Sequence, residues 1–363
     1  MNLTISNRIK VAFVIPSLRS GGTERVMSYI ASNINKSKFE VTLIVLGFEK
    51  NTKYIIEGIN VIYLNKGSAK KSFFKLVKVL KMISPSIVFS SLSHVNSMMA
   101  LISLIVSKPR YIGRESSVKT IRESFEASKS MFSNRLHNWA LRRLDAVICQ
   151  SHDMLNDFQR NNKNLKLDKF VIINNPITKN FKFQEREQTK SACKYITVSS
   201  LTKLKGHIRI LDALSKLDYD FKYTIIGKGD EYKAIKSYAE KLMIIDNLEF
   251  IQHTYNVSEF LNKSDLYLQG SYVEGFPNAV LESCAVGTPV AAFSAPGGHN
   301  EIIIEGVNGT VINTSEEFTE KLKTYHKNYP FNHKEVSDSV FSRFSEEIIL
   351  KRYESLFTKL IRN

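Results

Sequence analysis

A chain of 363 residues and 41.4 kDa exceeds one ordinary hydrophobic core, so two domains of roughly 150–200 residues are expected. With 43% apolar and 24% charged residues it has the balance of a globular protein, which excludes wholesale disorder; 16 glycines and 8 prolines exclude collagen-like and low-complexity chains. The net charge of +16 is uneven: residues 1–180 carry 28 Lys and Arg against 11 Asp and Glu, and residues 181–363 carry 23 against 24. An excess confined to one half points to an anionic partner for that half: nucleic acid, a membrane surface or a phosphorylated substrate.

Cys149, Cys193 and Cys284 lie far apart with no CxxC and no neighbouring histidine spacing. This argues against a disulfide framework or zinc site and fits a reducing cytoplasm. The longest apolar stretch, Met98 to Val106, is broken by Ser103 and falls short of the ~20 residues of a bilayer span. The first apolar run, Val11 to Ile15, stops at Pro16 and does not read as a signal peptide. A cytoplasmic location is expected.

In chain order, Arg8–Ile15, Glu40–Leu46, Asn60–Leu64, Ser86–Ser90, Arg110–Gly113, Asp145–Cys149 and Phe170–Ile173 read as strands. Several are apolar without alternation, as strands buried on both faces should be. Helical stretches separate them, such as Thr23–Ile34, where Val26, Met27, Ile30, Ala31 and Ile34 form one stripe. The breaker cluster Asn174-Asn175-Pro176 and the polar stretch Lys179–Lys194 then mark a join. A second series follows: Tyr195–Ser199, Phe221–Ile226, Leu248–Ile251, Leu266–Gln269, Pro289–Ala292 and Gly309–Ile312. Two doubly wound α/β domains are expected, residues 1–178 and 179–344, with a ligand between them at the carboxyl ends of the strands.

Three stretches carry chemistry. Ile15 to Arg25 is a strand, a loop with Gly21-Gly22 and a helix start, where close backbone approach and free N–H groups favour an anion. It is neither a Walker A loop nor a GxGxxG fingerprint. Val198 to His207 ends a strand and begins a helix near Gly206, with Lys203 and Lys205 placed to cradle a diphosphate. The next glycine turn, Gly227-Lys228-Gly229, starts like GxGxxG, but Tyr232 stands where the last glycine belongs. The third stretch, Glu274 to Val290, is the most specific. Pro277 suits the first helical position and Asn278 the first turn, so Glu274 lies in a loop and Glu282 about one turn into the helix. A carboxylate at Glu282 can accept from two vicinal hydroxyls, as on a ribose, and its apolar neighbours argue for burial with partners.

On these residues the chain resembles the retaining GT-B glycosyltransferases of family 4, which use nucleotide-sugar donors. The resemblance spans nearly the whole chain. It rests on the E-x7-E pattern of Glu274 and Glu282, on Lys205-Gly206, on Ser20 to Arg25, and on Gly298 with Glu301. The terminal stretch Phe344-Ser345 to Tyr353 resembles the last helix of such enzymes, so residues of about 345–363 are expected to cross back to the N-terminal domain. The resemblance implies that Glu282 holds the ribose and Glu274 a hydroxyl of the donor sugar. It implies that Lys205 and the amides of Gly21 and Gly22 neutralise the diphosphate, without a metal ion. Gly227, Phe276, Pro277, Asn278 and Leu281 fall on the donor side, and His94 matches a family histidine at the donor-sugar edge. One position departs: the family's arginine five residues before the lysine is Ser200 here, with Lys203 and Arg19 as the available substitutes.

Lys66–Ile83 reads as a helix with Phe73, Leu76, Val77 and Leu80 on one side and Lys71, Lys75 and Lys78 near the other. Membrane-attached members of the family use basic N-terminal surfaces, so this face is expected on an anionic membrane surface. No RNP, zinc or helix-turn-helix signature accompanies the lysines, which disfavours nucleic acid. The expected activity is transfer of a hexose or N-acetylhexosamine from a UDP-sugar to a lipid-linked or cell-surface glycan. The residues leave open a GDP-mannose donor, a soluble acceptor, or a non-catalytic partner subunit.

Overall fold

The apolar runs become parallel strands with both faces covered, and all thirteen expected strands form with each end within one residue of its expected place. The computed structural model describes residues 8–19, 21–53, 56–118, 131–161, 167–189 and 191–362. These divide into two compact units.

The first unit takes in the described residues of Met1–Ser116, Ser128–Pro176 and Glu347–Asn363. Its strands are β1 (Ile9–Ile15), β2 (Phe39–Val45), β3 (Asn60–Tyr63), β4 (Ile87–Ser91), β5 (Arg110–Arg114), β6 (Ala146–Cys149) and β7 (Phe170–Ile172), in the order β3-β2-β1-β4-β5-β6-β7. Every pair is parallel, with Val11 opposite Ile87 where β1 meets β4. The winding direction reverses between β1 and β4, and the loops after those two strands flank the reversal. They lead into α1 (Gly22–Asn33) and α3 (Ser93–Ile102). Helices α2 (Ala69–Ile83), α4 (Met131–Arg143) and α5 (His152–Asn161) complete the described helical layers up to the join.

The second unit contains Ile177–Glu346 and has strands β8 (Lys194–Val198), β9 (Lys222–Ile226), β10 (Leu248–Ile251), β11 (Leu266–Gln269), β12 (Val290–Phe293) and β13 (Gly309–Ile312). Their order, β10-β9-β8-β11-β12-β13, places the reversal between β8 and β11. Its helices are α6 (His207–Leu214), α7 (Tyr232–Lys241), α8 (Val257–Asn262), α9 (Asn278–Ala285), α10 (His299–Ile302), α11 (Ser315–Lys327) and α12 (His333–Phe344). The polar join is anchored here: Arg186 donates to the carbonyls of Ser264 at 2.9 Å and Gly287 at 3.1 Å. Ile177 N–H donates to the Phe344 carbonyl at 2.9 Å, so the two connecting segments leave this unit side by side.

The last helix, α13 (Glu346–Arg362), packs on the first unit. Phe357 is buried against Phe13, Phe39 and Phe89 at ring separations of 6.3, 6.0 and 5.6 Å. A phenylalanine buried in this way contributes roughly 1.5–3 kcal/mol. Asn35 N–H donates to Glu354 Oε1 at 3.1 Å, and Arg110 Nε to the Leu360 carbonyl at 3.2 Å.

Candidate active site

The loops after β8 and β11 meet because their strands are neighbours at the reversal. Gly206 has φ 59°, and a Cβ there would lie 1.9 Å from the Gly270 carbonyl oxygen. The glycine after Lys205 is therefore required by loop contact as well as by backbone conformation. Gly227 is brought against the same loop, where a Cβ would lie 1.8 Å from the Ser199 carbonyl oxygen.

Lys205 Nζ lies 2.5 Å from Glu274 Oε1, joining residues that are 69 apart in sequence. Ser271 Oγ and Gln269 Nε2 donate to the same oxygen at 2.6 and 3.0 Å. Burial pushes the Glu274 carboxyl upward, but Lys205, Ser271 and His299 outweigh it and hold the group below the usual carboxylate range. Glu274 is thus an ionised carboxylate with 13% side-chain exposure.

Glu282 sits inside α9 and is 7% exposed. Pro277 occupies the N-cap of this helix and Asn278 begins it, one position later than expected, because the Pro277 carbonyl accepts the first helical bond from Leu281 N–H at 3.1 Å. That bond and the burial of its side chain make Leu281 a packing residue. The amides of the first turn, from Asn278 to Val280, have no acceptor within the helix and point from its positive end. Phe276 is 5% exposed and meets Phe344 edge-on at 5.5 Å, anchoring the loop through its ring.

Two further groups brace these loops. Arg209 donates from Nε to the Gly270 carbonyl at 2.7 Å and from its terminal nitrogen to the Ser271 carbonyl. Its guanidinium stacks between Tyr272 and Phe293 at 4.2 and 4.3 Å, and burial pushes its pKa down to about 10. His207 is 2% exposed, with Nε2 3.1 Å from Ser199 Oγ and 3.3 Å from the Ser200 carbonyl oxygen. Ser200 and Lys203 are both exposed.

In the first unit, α1 begins at Gly22 with Gly21 as N-cap. A Cβ on Gly21 would lie 2.2 Å from Glu24 Oε2, so the helix's own carboxylate lies over the amides expected to meet a diphosphate. Burial raises the Glu24 pKa, while a bond to its own backbone N–H lowers it. His94 lies in the first turn of α3 and is exposed. Beside it, Ser93 Oγ and Asn96 Nδ2 donate to the two oxygens of buried Glu115 at 2.8 and 2.7 Å. The structure joins Lys205 to Glu274 and lays Gly227 on the Ser199 turn; Gly21, Gly22 and His94 belong to the other unit.

Two family models together match residues 20–337. The model for glycosyl transferases group 1 matches residues 178–337, and that for glycosyltransferase family 4 matches residues 20–181. The chain is a GT-B glycosyltransferase of the family 4 type.

This transferase is 28% identical over 309 residues to an uncharacterized glycosyltransferase of Haemophilus influenzae, covering 83% of the chain and 85% of that protein. It is 23% identical over 321 residues to the Campylobacter jejuni N-acetylgalactosamine-N,N'-diacetylbacillosaminyl-diphospho-undecaprenol 4-alpha-N-acetylgalactosaminyltransferase, covering 85% of the chain and 87% of that protein. Its fold matches Anabaena HepE in complex with UDP and glucose at a TM-score of 0.80, with 17% identity, over 97% of this chain and all of the other (100%). The lipopolysaccharide outer core galactosyltransferase WaaB matches at 0.77 and 17% identity, with the same coverage of 97% and 100%.

Sequence reading missed Gln269, Ser271, Arg209, His299 and Glu115 in the transferase. A signal existed for Gln269 and Glu115, since each is a polar residue at the end of an apolar strand whose burial demands a partner. Arg209 and His299 sit in otherwise ordinary helical stretches and left no such mark.

Proposed function

We propose that the transferase moves a hexose or N-acetylhexosamine from a UDP-sugar to a lipid-linked or cell-surface glycan acceptor, with retention and without a metal ion. The observation that carries this reading is the convergence of Lys205, Glu274 and the α9 N-terminus at the reversal between β8 and β11. Such a place offers a cation and the positive end of a helix to a diphosphate and a fixed carboxylate to sugar hydroxyls. Glu282 takes the ribose hydroxyls and Glu274 a hydroxyl of the donor sugar. The bond from the anomeric carbon to the diphosphate breaks, the acceptor oxygen joins the same face, and the departing phosphate takes the acceptor proton. Retention rests on the family resemblance. The UDP donor is supported by HepE, whose structure is a complex with UDP and glucose, and the acceptor by the Campylobacter relative, named for a diphospho-undecaprenol substrate.

Glu282→Ala should weaken UDP binding by about 1.5–3 kcal/mol, the range for hydrogen bonds to a charged group. Titration calorimetry reads this directly; parental affinity in a folded variant would remove Glu282 from the ribose. Release of UDP against GDP from a panel of sugar donors, with and without membrane extract, tests the donor and the acceptor class together.

The same reading seats the transferase peripherally on an anionic membrane. Lys71, Lys75 and Lys78 lie on the exposed side of α2 as expected, and the same side carries Lys70 and Lys81. Phe74 is 84% and Met82 70% exposed among these lysines, an apolar element that the sequence pattern did not disclose. Lys75 Nζ also donates to the Leu64 carbonyl at 3.1 Å, so its charge serves the fold too. Each lysine near an anionic surface is worth ~1 kcal/mol, screened over ~8 Å at physiological salt. Replacing Lys71, Lys78 and Lys81 by Glu should abolish co-sedimentation with anionic vesicles and leave UDP affinity intact. A triple variant that sediments like the parent would make this face ordinary solvated surface. No helix among the described residues is long and apolar enough to cross a membrane.

A further inference from the structure

Three donors meet on one oxygen of Glu274, and only one of them carries a charge. Lys205 Nζ, Ser271 Oγ and Gln269 Nε2 all address Oε1, while Oε2 has no protein donor among the described residues. Gln269 is itself held. Its Oε1 lies 3.3 Å from Tyr267 Oη, which in turn lies 3.2 Å from the carbonyl oxygen of Val198. Gln269 is 3%, Ser271 1% and Tyr267 0% exposed. A chain of buried polar groups thus runs from the end of β8 to the carboxylate after β11. Such a chain specifies one arrangement because any unpaired member is costly.

Lys205 cannot give its full charge to Glu274 and to a diphosphate at once. The two neutral donors carry no charge that a diphosphate could draw away: both are buried and donate to the carboxylate, and Gln269 Nε2 also donates to Ser271 Oγ at 3.0 Å, which links the pair. We propose that Gln269 and Ser271 are positioning residues: they hold the Glu274 carboxylate and aim Oε2 at the donor sugar once Lys205 has turned to the diphosphate. This rests on Glu274 being the donor-sugar ligand, as read above.

A purely structural role and a positioning role differ in what they move. Gln269→Met keeps length and removes the N–H donor, and Ser271→Ala removes one hydroxyl with little change of volume. Each should lower kcat/KM for the UDP-sugar about 10–100-fold, the loss expected for a hydrogen bond to a charged group, while UDP affinity stays within about threefold. Donors to the ionised form hold a carboxyl pKa down, so their loss should move the acid limb of kcat/KM to higher pH. Ser271→Thr, which keeps the hydroxyl, should restore both rate and limb.

The other titratable groups facing Glu274 are Lys205 from the loop after β8, Tyr267 from β11 and His299 from α10. Tyr267 titrates well above the acid range, and burial holds His299 below its ordinary value. His299→Asn is therefore measured alongside; a limb that vanishes in that variant belongs to the histidine and overturns the proposal. Glu274→Gln separates the two levels of argument. Full activity in Glu274→Gln would overturn the reading of Glu274 as sugar ligand. Lost activity there, with parental rates and limbs in both Gln269→Met and Ser271→Ala, would overturn the positioning role alone.

Discussion

Lys205→Ala should lower turnover by about 10²–10³-fold, the loss found when one preorganised donor to a developing negative charge is removed. The reason is differential: charge on the leaving diphosphate grows as the sugar departs, so the lysine acts most strongly in the transition state. Binding of uridine, which carries no phosphate, should scarcely change. Lys205→Arg should not restore the rate, because a planar fork does not replace a compact ammonium beside Glu274. Removal of divalent metal by EDTA should leave the parental rate unchanged, since Lys205 and the α9 amides are proposed to supply the positive charge. Turnover that collapses in EDTA and returns with Mg²⁺ would overturn the metal-free reading; turnover unchanged in Lys205→Ala would overturn the lysine's role.

Acid should destabilise the second unit through His207. Burial lowers its pKa from 6.5 to about 4; the Ser200 carbonyl opposes that shift and Lys205 reinforces it. The unfolded chain therefore takes up a proton near pH 6.5 that the folded chain refuses until about pH 4. Because the unfolded state binds more protons in that window, stability falls as pH falls through it. From these values the histidine alone should cost about 2 kcal/mol by pH 5 and about 3 kcal/mol near pH 4. Denaturant midpoints at pH 7.5 and 5 for the parent and for His207→Gln measure this. The variant should lose less stability than the parent between the two pH values; identical losses would show that His207 is not the group responsible.

Much of the candidate site was legible because its geometry is local. The spacing of Glu274 and Glu282 places one carboxylate before a helix and one within it, and the structure has that arrangement, shifted by one residue where Pro277 caps α9. Lys205-Gly206 likewise announces a strand-to-helix turn, and its glycine conformation follows from the local backbone. Other features were hidden because they depend on which side chains face each other across the fold. Glu24 over Gly21, Lys75 on the Leu64 carbonyl, and Arg209 on the carbonyls of Gly270 and Ser271 are choices of rotamer and neighbour. Spacing along the chain does not encode them.

The amino-acid sequence by itself determined the thirteen strands and their parallel α/β character, because apolar runs between breakers can be buried in few other ways. The tertiary structure decided that Glu274 shares its charge with Lys205 and leans on Gln269 and Ser271. It did so because β8 and β11 became neighbours when the winding reversed, bringing together loops that are far apart in the chain. Local stereochemistry selects each strand and turn, but the partner of a buried charge is selected only when the sheet has closed around it.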